Sequence, residues 1–271
     1  MLVQRICQFI IFIMLTALTQ IGGLAYLLSV FVASKMQIRH GLVKGAVFVV
    51  IYFAATASAT VIAPVFGRVP IPCMGQKNHS FAVQSVIYCV LNRNYVRPTM
   101  LDLVTTLADD VADAFPGTTT LVLDGNFPFL DGFPMLPHLS HSDGRKLDIA
   151  FYYKNAEGQF MDRVTRSPIG YFAFEQPPQN GEQPCQDRND IVTMRWNLDW
   201  LQFLFPSYPL EERRMAYSLN WLATKGVEKF GLEKVLIEPH LRNSLGVTNN
   251  VIRFQGCRAA RHDDHIHIQI K

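Results

Sequence analysis

The first quarter of the chain lacks acidic residues. Of the 271 residues, the first 66 contain no aspartate or glutamate, and their charged side chains are Arg5, Lys35, Arg39 and Lys44. Two stretches have no charged side chain at all, residues 6–34 (29 residues) and residues 45–67 (23 residues). Because a helix crosses a bilayer with about 20 apolar residues, the sequence predicts two transmembrane helices, at about 8–33 and 45–66.

Two other interpretations fit these apolar stretches less well. Buried core helices of a soluble protein rarely occur as two such runs at one end of a chain. The apolar region of a cleaved signal peptide is only about 7–15 residues long, and the cleavage-like Ala57-Ser58-Ala59 lies inside the second run. We therefore expect residues 1–67 to form a transmembrane hairpin with a short basic loop, which makes the lipid bilayer a partner of the protein.

The basic loop also indicates an orientation. Cytoplasmic loops carry an excess of Lys and Arg, and Lys35, Arg39 and Lys44 lie in this loop. Two crossings return the chain to the side on which it began. We therefore expect the long C-terminal part to lie outside the cytoplasmic membrane.

Beyond the membrane segment, the sequence lacks the excess of basic charge that nucleic-acid binding requires. Residues 67–271 contain 21 basic and 22 acidic side chains, so no nucleic-acid partner is expected. Hydrophobic residues make up 49% of the whole chain and charged residues 17%, a composition that excludes intrinsic disorder. We interpret residues 68–96 as a connector and residues 97–271 as one folded domain.

The sequence also lacks the CxxC spacing of cysteine zinc sites. Four of its five cysteines, namely Cys73, Cys89, Cys185 and Cys257, follow the membrane segment. In an oxidising compartment, four cysteines permit two disulfides with three possible connectivities. We expect a local Cys73–Cys89 pair.

The C-terminal part mixes a few helices with short strands. Apolar residues at helical spacing follow Pro98-Thr99, and a second helix is expected over 210–230. Strands are expected over 118–123 and 147–153. At the C-terminus, residues 265–270 alternate between polar and isoleucine side chains, the pattern of a half-buried strand. This mixture predicts an α+β domain.

Histidine and aspartate are concentrated in two polar stretches. The first contains His138, His141 and Asp148, with Gly144 between them as a residue that permits a tight turn. The second, residues 261–267, contains His262, Asp263, Asp264, His265 and His267. Imidazole and carboxylate groups are ordinary zinc ligands, and a strand presents His265 and His267 on one face. Together the two stretches predict a zinc site.

The pattern His138-x-x-His141-x-x-Gly144-x-x-x-Asp148, followed by His262-x-x-His265-x-His267, resembles the penicillin-insensitive murein endopeptidase family. That family belongs to a wider group of zinc peptidases that includes D-alanyl-D-alanine carboxypeptidases and the Hedgehog signalling domain. The resemblance covers residues 97–271. It implies a small central antiparallel sheet with flanking helices.

The resemblance also implies roles for individual residues. His141, Asp148 and His267 match the Zn²⁺ ligands, and His262 and His265 match the catalytic histidines beside the metal-bound water. His138 matches a further family histidine, and Asp263 and Asp264 are expected to contact substrate or to orient a neighbouring imidazole. Three protein ligands leave a fourth zinc position open, where water loses a proton to a histidine base.

The function implied is that of a membrane-anchored zinc metallopeptidase. Its substrates would be peptide cross-links or D-amino-acid peptide bonds of peptidoglycan, outside the inner membrane of a bacterium, in the periplasm. Two residues depart from the family pattern, Lys146 and Glu238. The alternatives are a non-catalytic zinc-containing binding or signalling module of the cell envelope, and a structural envelope protein.

Overall fold

A computed structural model describes residues 2–73, 80–178, 181, 184–185, 195–196 and 198–271. The architecture is α+β, with N-terminal apolar helices followed by a mixed sheet. The helices are α1 Leu2–Thr19, α2 Gly22–Lys35, α3 Gly41–Ile62, α4 Val86–Val90, α5 Pro98–Ala114, α6 Glu212–Trp221, α7 Val227–Phe230 and α8 Pro239–Ser244. The strands are β1 Val69–Pro70, β2 Phe81–Val83, β3 Tyr95–Val96, β4 Thr120–Val122, β5 Lys146–Ala150, β6 Leu232–Leu236, β7 Ile252–Arg253 and β8 His265–Ile270.

The uninterrupted helix expected over about 8–33 is instead two helices, α1 and α2. The chain turns at Gln20, whose φ is 65°, and the side chain of Thr19 accepts a hydrogen bond from the Gly22 amide at 2.8 Å. A Cβ on Gly23 would lie 1.9 Å from Thr16 Oγ1, so glycine allows the two helices to pack closely. A charge count does not detect this break, because none of these residues is charged.

Two of these helices have the length and composition of membrane spans. They are α1 and the stretch Gly41–Phe66, which extends α3 by a turn of 3₁₀ helix. Helix α2, with 14 residues, is shorter. The start of α1 and the end of α2 line one cavity together with Lys44, so α1 and α2 run antiparallel, and their basic ends lie close together.

The main sheet is larger than expected and is not purely antiparallel. It has six strands in the order β2-β4-β5-β8-β6-β7. The central pairs are antiparallel, whereas β2 with β4 and β6 with β7 are parallel. A parallel pair needs a crossover connection, which α5 provides at one edge and α8 at the other. The expected antiparallel sheet was wrong at the edges because two- and three-residue strands leave no alternating pattern to read.

Strand β2 lies in the segment that we interpreted as a connector. Residues 68–96 contain β1, β2, α4 and β3, and β2 pairs with β4 over three residues. The segment therefore completes one edge of the main sheet.

One face of the sheet forms the apolar core. Helix α5 contributes fully buried side chains at helical spacing, Met100, Leu103, Val104, Leu107 and Val111. They pack in the same cluster as Ile149 of β5 and Ile266 of β8. Because side chains alternate along a strand, the neighbours of these isoleucines, Asp148 and His267, point to the opposite face.

Two disulfides link segments of the domain. Cys73 pairs with Cys89, as expected from the sequence, and Cys185 pairs with Cys257. The loop closed by the first contains β2, and the loop closed by the second contains β6 and β7.

The close approach of α1 and α2 gives a stability prediction. In Gly23→Ala the new methyl would also lie 2.8 Å from the Phe12 carbonyl oxygen. We expect the free energy of unfolding in detergent to fall by about 1–3 kcal/mol, the usual cost of overpacking. Thermal unfolding followed by circular dichroism measures it.

Gly45→Ala in α3 is the matched control, since its Cβ would meet nothing within 4 Å. It should not lower the midpoint of unfolding. Equal midpoints for the two variants would contradict the packing described here.

Candidate metal centre

The centre is built on a cross-strand pair. Asp148 of β5 and His267 of β8 are direct partners in the antiparallel register, so their side chains lie side by side on one face. The distance between Asp148 Oδ1 and His267 Nδ1 is 2.8 Å. Both residues are buried.

His141 reaches this pair from the loop before β5. Its Nε2 lies 3.0 Å from His267 Nδ1 and 3.2 Å from Asp148 Oδ1. Its Nδ1 lies 2.7 Å from the carbonyl oxygen of Gly125, an acceptor that holds the proton on Nδ1 and leaves Nε2 free to bind a metal. Gly144, with φ of 79°, makes the turn that was expected between His141 and Asp148.

His138 lies on the other side of the aspartate. Its Nδ1 is 3.3 Å from Asp148 Oδ2 and 3.0 Å from Asp124 Oδ2. Asp124 is itself buried, and Arg93 donates to both of its oxygens at 2.6 Å. The Asp124 carboxylate therefore holds the His138 ring, and the Arg93 guanidinium balances the charge of that carboxylate.

The second oxygen of Asp148 has further partners. The Tyr171 hydroxyl donates to Oδ2 at 2.6 Å, and His265 Nε2 lies 3.6 Å from it. The opposite nitrogen of His265 is 2.5 Å from Asp264 Oδ1. Asp264 therefore orients His265, which was one of the two expectations for that residue.

His262 borders the same group of rings. Its ring centroid lies 5.0 Å from that of His265 and 5.5 Å from that of His267. Glu238 lies beside the main chain of His262: the Glu238 amide donates to the His262 carbonyl, and His262 N donates to Glu238 Oε1. Arg195 donates to both Glu238 oxygens, so the Glu238–Arg195 pair is a clamp that fixes the backbone of His262.

Asp263 and Lys146 each form an ion pair with a neighbouring residue. Asp263 accepts from Arg261 at 2.5 Å, and its carbonyl accepts from the amide of Glu175. Lys146 pairs with Asp143 at 2.6 Å. Both side chains thus serve local ion pairs.

Burial and neighbouring charges give the buried histidines different pKa values. Burial lowers the pKa of His262 well below its usual value and that of His267 to about 4. Burial also acts to lower the pKa of His265, but the carboxylates of Asp148 and Asp264 raise it to about 9. At neutral pH, His262 and His267 are therefore uncharged.

The same two effects give the buried carboxylates different pKa values. Burial acts to raise the pKa of Asp148, but His141 and His265 hold it well below its usual value. Burial raises the pKa of Asp263 to about 7 despite the guanidinium of Arg261. Asp148 is therefore ionised at neutral pH, as a carboxylate that binds a metal must be.

The donor atoms of this cluster could hold a metal ion. His138, His141 and Asp148 offer ligand atoms that all lie within 4.8 Å of one another, so this cluster could hold a metal ion. The alternative trio of His141, Asp148 and His267 is tighter, with separations of 2.8–3.2 Å. Ligands at about 2.1 Å in a tetrahedron lie roughly 3.4 Å apart, so either set can surround one ion after a small adjustment.

Comparison with known proteins adds no family assignment. No protein-family model matches the chain, and no curated protein sequence matches it significantly. The description of the centre therefore depends on its own geometry.

Sequence reasoning missed three residues of this centre, Asp124, Tyr171 and Arg93. Asp124 lies two residues after the buried strand β4, and a carboxylate near a strand end is a signal that could have been used. Tyr171 and Arg93 lie in irregular segments, where no local pattern marks them.

The two possible ligand sets predict different effects on metal affinity. If His267 is a ligand, His267→Ala should weaken binding by more than the roughly 10–100-fold loss that follows removal of an outer hydrogen-bond partner. His138→Ala should stay within that range. Competition of the purified protein with a chromophoric chelator measures both.

His40→Ala, in the exposed loop between α2 and α3, is the control and should bind metal normally. A larger loss in His138→Ala than in His267→Ala would assign the metal to His138, His141 and Asp148 instead.

Proposed function

We propose that the C-terminal domain is a zinc metallopeptidase that hydrolyses peptide cross-links or D-amino-acid peptide bonds of peptidoglycan. The observation that carries the proposal is the convergence of His141, Asp148 and His267 beside two further histidines, His262 and His265. A centre that only bound metal would have no use for the additional pair. The substrate class comes from the resemblance of the two histidine motifs to murein endopeptidases.

Zn²⁺ is the cation that this donor set suits best, because two imidazoles and one carboxylate are a ligand combination found in catalytic zinc sites. When bound, zinc polarises a carbonyl group and lowers the pKa of a water molecule to about 7. The Gly125 carbonyl and Tyr171 hydroxyl hold the ligands His141 and Asp148 in position.

His262 is the better candidate for the general base. It is buried and uncharged at neutral pH, so its ring can accept a proton and later donate it to the leaving amine. The Glu238–Arg195 clamp fixes its main chain. His265, which its two carboxylate partners keep protonated, is suited to stabilising negative charge that develops on the substrate.

A small pocket of about 30 Å³ borders the centre. Its wall includes His138, His265 and the rings of Tyr171, Phe172 and Trp196. We expect substrate to approach the centre from this side.

The N-terminal helices support anchoring in the bacterial inner membrane. Because α1 and α2 form an antiparallel pair, Arg5 lies at the same end of the helices as the loop that carries Lys35 and Arg39. The expectation that two crossings leave the N-terminus on the side of the folded domain is therefore corrected. The positive-inside rule then assigns this whole end to the cytoplasm. It assigns the folded domain, at the opposite end, to the periplasm.

A non-catalytic zinc module of the envelope is the second candidate. It would keep the metal and lose nothing when His262 is replaced. A structural envelope protein would be isolated without stoichiometric metal.

Digestion of cross-linked muropeptides by the full-length protein in detergent, read by mass spectrometry, tests the proposal. Cleavage should require metal and stop with chelator. His262→Ala should lower the cleavage rate by about 10²–10⁴-fold, the usual contribution of a general base, while metal content stays intact.

His40→Ala is again the control and should cleave at the normal rate. Unchanged turnover in His262→Ala would overturn its role as the base. A metal-loaded protein that cleaves no muropeptide bond would favour the binding module.

A further inference from the structure

The folded domain packs against the side of α3, and the contact begins halfway along the helix. The Tyr52 hydroxyl donates to the carbonyl oxygen of Val90, at the end of α4, at 2.5 Å. Asn92 donates to the same hydroxyl at 2.9 Å and to Thr56 Oγ1 at 3.4 Å. Tyr52 is buried, and it packs in a cluster with Ile21 and Ala25. Helix α4 therefore lies beside the middle of α3.

This position conflicts with a domain that stands clear of the bilayer. Tyr52 follows the start of α3 at Gly41 by a rise of roughly 16 Å, at 1.5 Å per residue. A full crossing takes about 30 Å of hydrocarbon, or about 20 residues, which would extend to near residue 60. If α3 crosses the membrane, α4 lies at a depth that lipid occupies.

The outer face of α4 is suited to lipid. Val86, Ile87 and Val90 are 69%, 42% and 39% exposed. The whole segment 80–92 contains no charged side chain. On α3, Phe53 and Val61 beyond the contact are likewise apolar and exposed, at 56% and 77%.

The backbone of α4 is suited to lipid as well. Carbonyl groups at the end of a helix normally bond to water, and in hydrocarbon they must find partners within the protein. The carbonyls of Ile87, Tyr88 and Cys89 accept from the amides of Leu91, Arg93 and Asn92, and the Val90 carbonyl accepts from Tyr52. The C-terminal end of this five-residue helix is therefore satisfied without solvent.

We propose that α4 is a membrane-contact element, with Val86, Ile87 and Val90 inserted among the acyl chains of the bilayer. This inference rests on the membrane anchoring in the proposed function. It extends that anchoring from the N-terminal helices to the folded domain itself. The domain would be partly sunk into the outer leaflet.

Insertion of α4 would hold the metal centre at a fixed distance from the membrane surface. Arg93, three residues after α4, binds Asp124, which holds His138. A second connection runs from the helix break, where Gln20 accepts a hydrogen bond from the Phe129 amide at 2.9 Å. Both connections are short, so the centre should act only on substrate close to the membrane surface.

Photo-crosslinking of the full-length protein in phosphatidylcholine–phosphatidylglycerol nanodiscs tests the proposal. A photoreactive phenylalanine analogue replaces one of three exposed valines: Val86 in α4, Val50 in the first half of α3, or Val227 in α7. We expect the Val86 probe to form lipid adducts at a yield comparable with Val50 and several-fold above Val227. Mass spectrometry of the digested protein counts the adducts.

The possible outcomes test this inference separately from the proposed membrane anchor and the proposed peptidase activity. Lipid adducts at Val50 but not at Val86, or crosslinks from Val86 to a second copy of the chain, would overturn the inference and leave the anchor intact. No adducts at Val50 would overturn the anchor and the inference together. Muropeptide cleavage is measured separately and depends on neither result. Should the Val86 variant fail to fold, the same probe at Ile87 replaces it.

Discussion

The buried carboxylate of Asp148 is the constraint on which the rest of the centre depends. A fully buried charge is costly unless it is paired and hydrogen-bonded, and Asp148 is 0% exposed. One oxygen faces His141 and His267, and the other accepts from Tyr171. Each partner comes from a different part of the chain, so the loop, the sheet and the segment around Tyr171 must all be in place before the charge is satisfied.

Hydrogen bonds and ion pairs join the candidate metal centre to the N-terminal helices. Asn92 docks on α3, and its neighbour Arg93 pairs with Asp124, which in turn orients His138. A domain on a flexible linker would search a large volume. A domain held against the bilayer through these contacts would act at one distance from it, which suits the proposed action on a polymer outside the membrane.

Much of the centre could be predicted from the sequence. The alternation of residues 265–270 correctly placed His265 and His267 on one face, and a local disulfide between Cys73 and Cys89 is confirmed. The grouping of His141 and Asp148 with His267 came from a family resemblance, not from periodicity. That family assignment remains a prediction, as does the peptidase activity. The short edge strands and the break at Gln20 had no such signal.

The sequence by itself determined what depends on neighbouring residues: the apolar stretches, the strand alternation and the chemical types of the candidate ligands. Only the tertiary structure decided how these parts meet. Asp148 and His267 are 119 residues apart, and the bond between Tyr52 and Val90 spans 38. Contacts of that separation are set by strand register and by packing of the whole core. The pattern of neighbouring residues predicts neither the strand register nor the packing of the core.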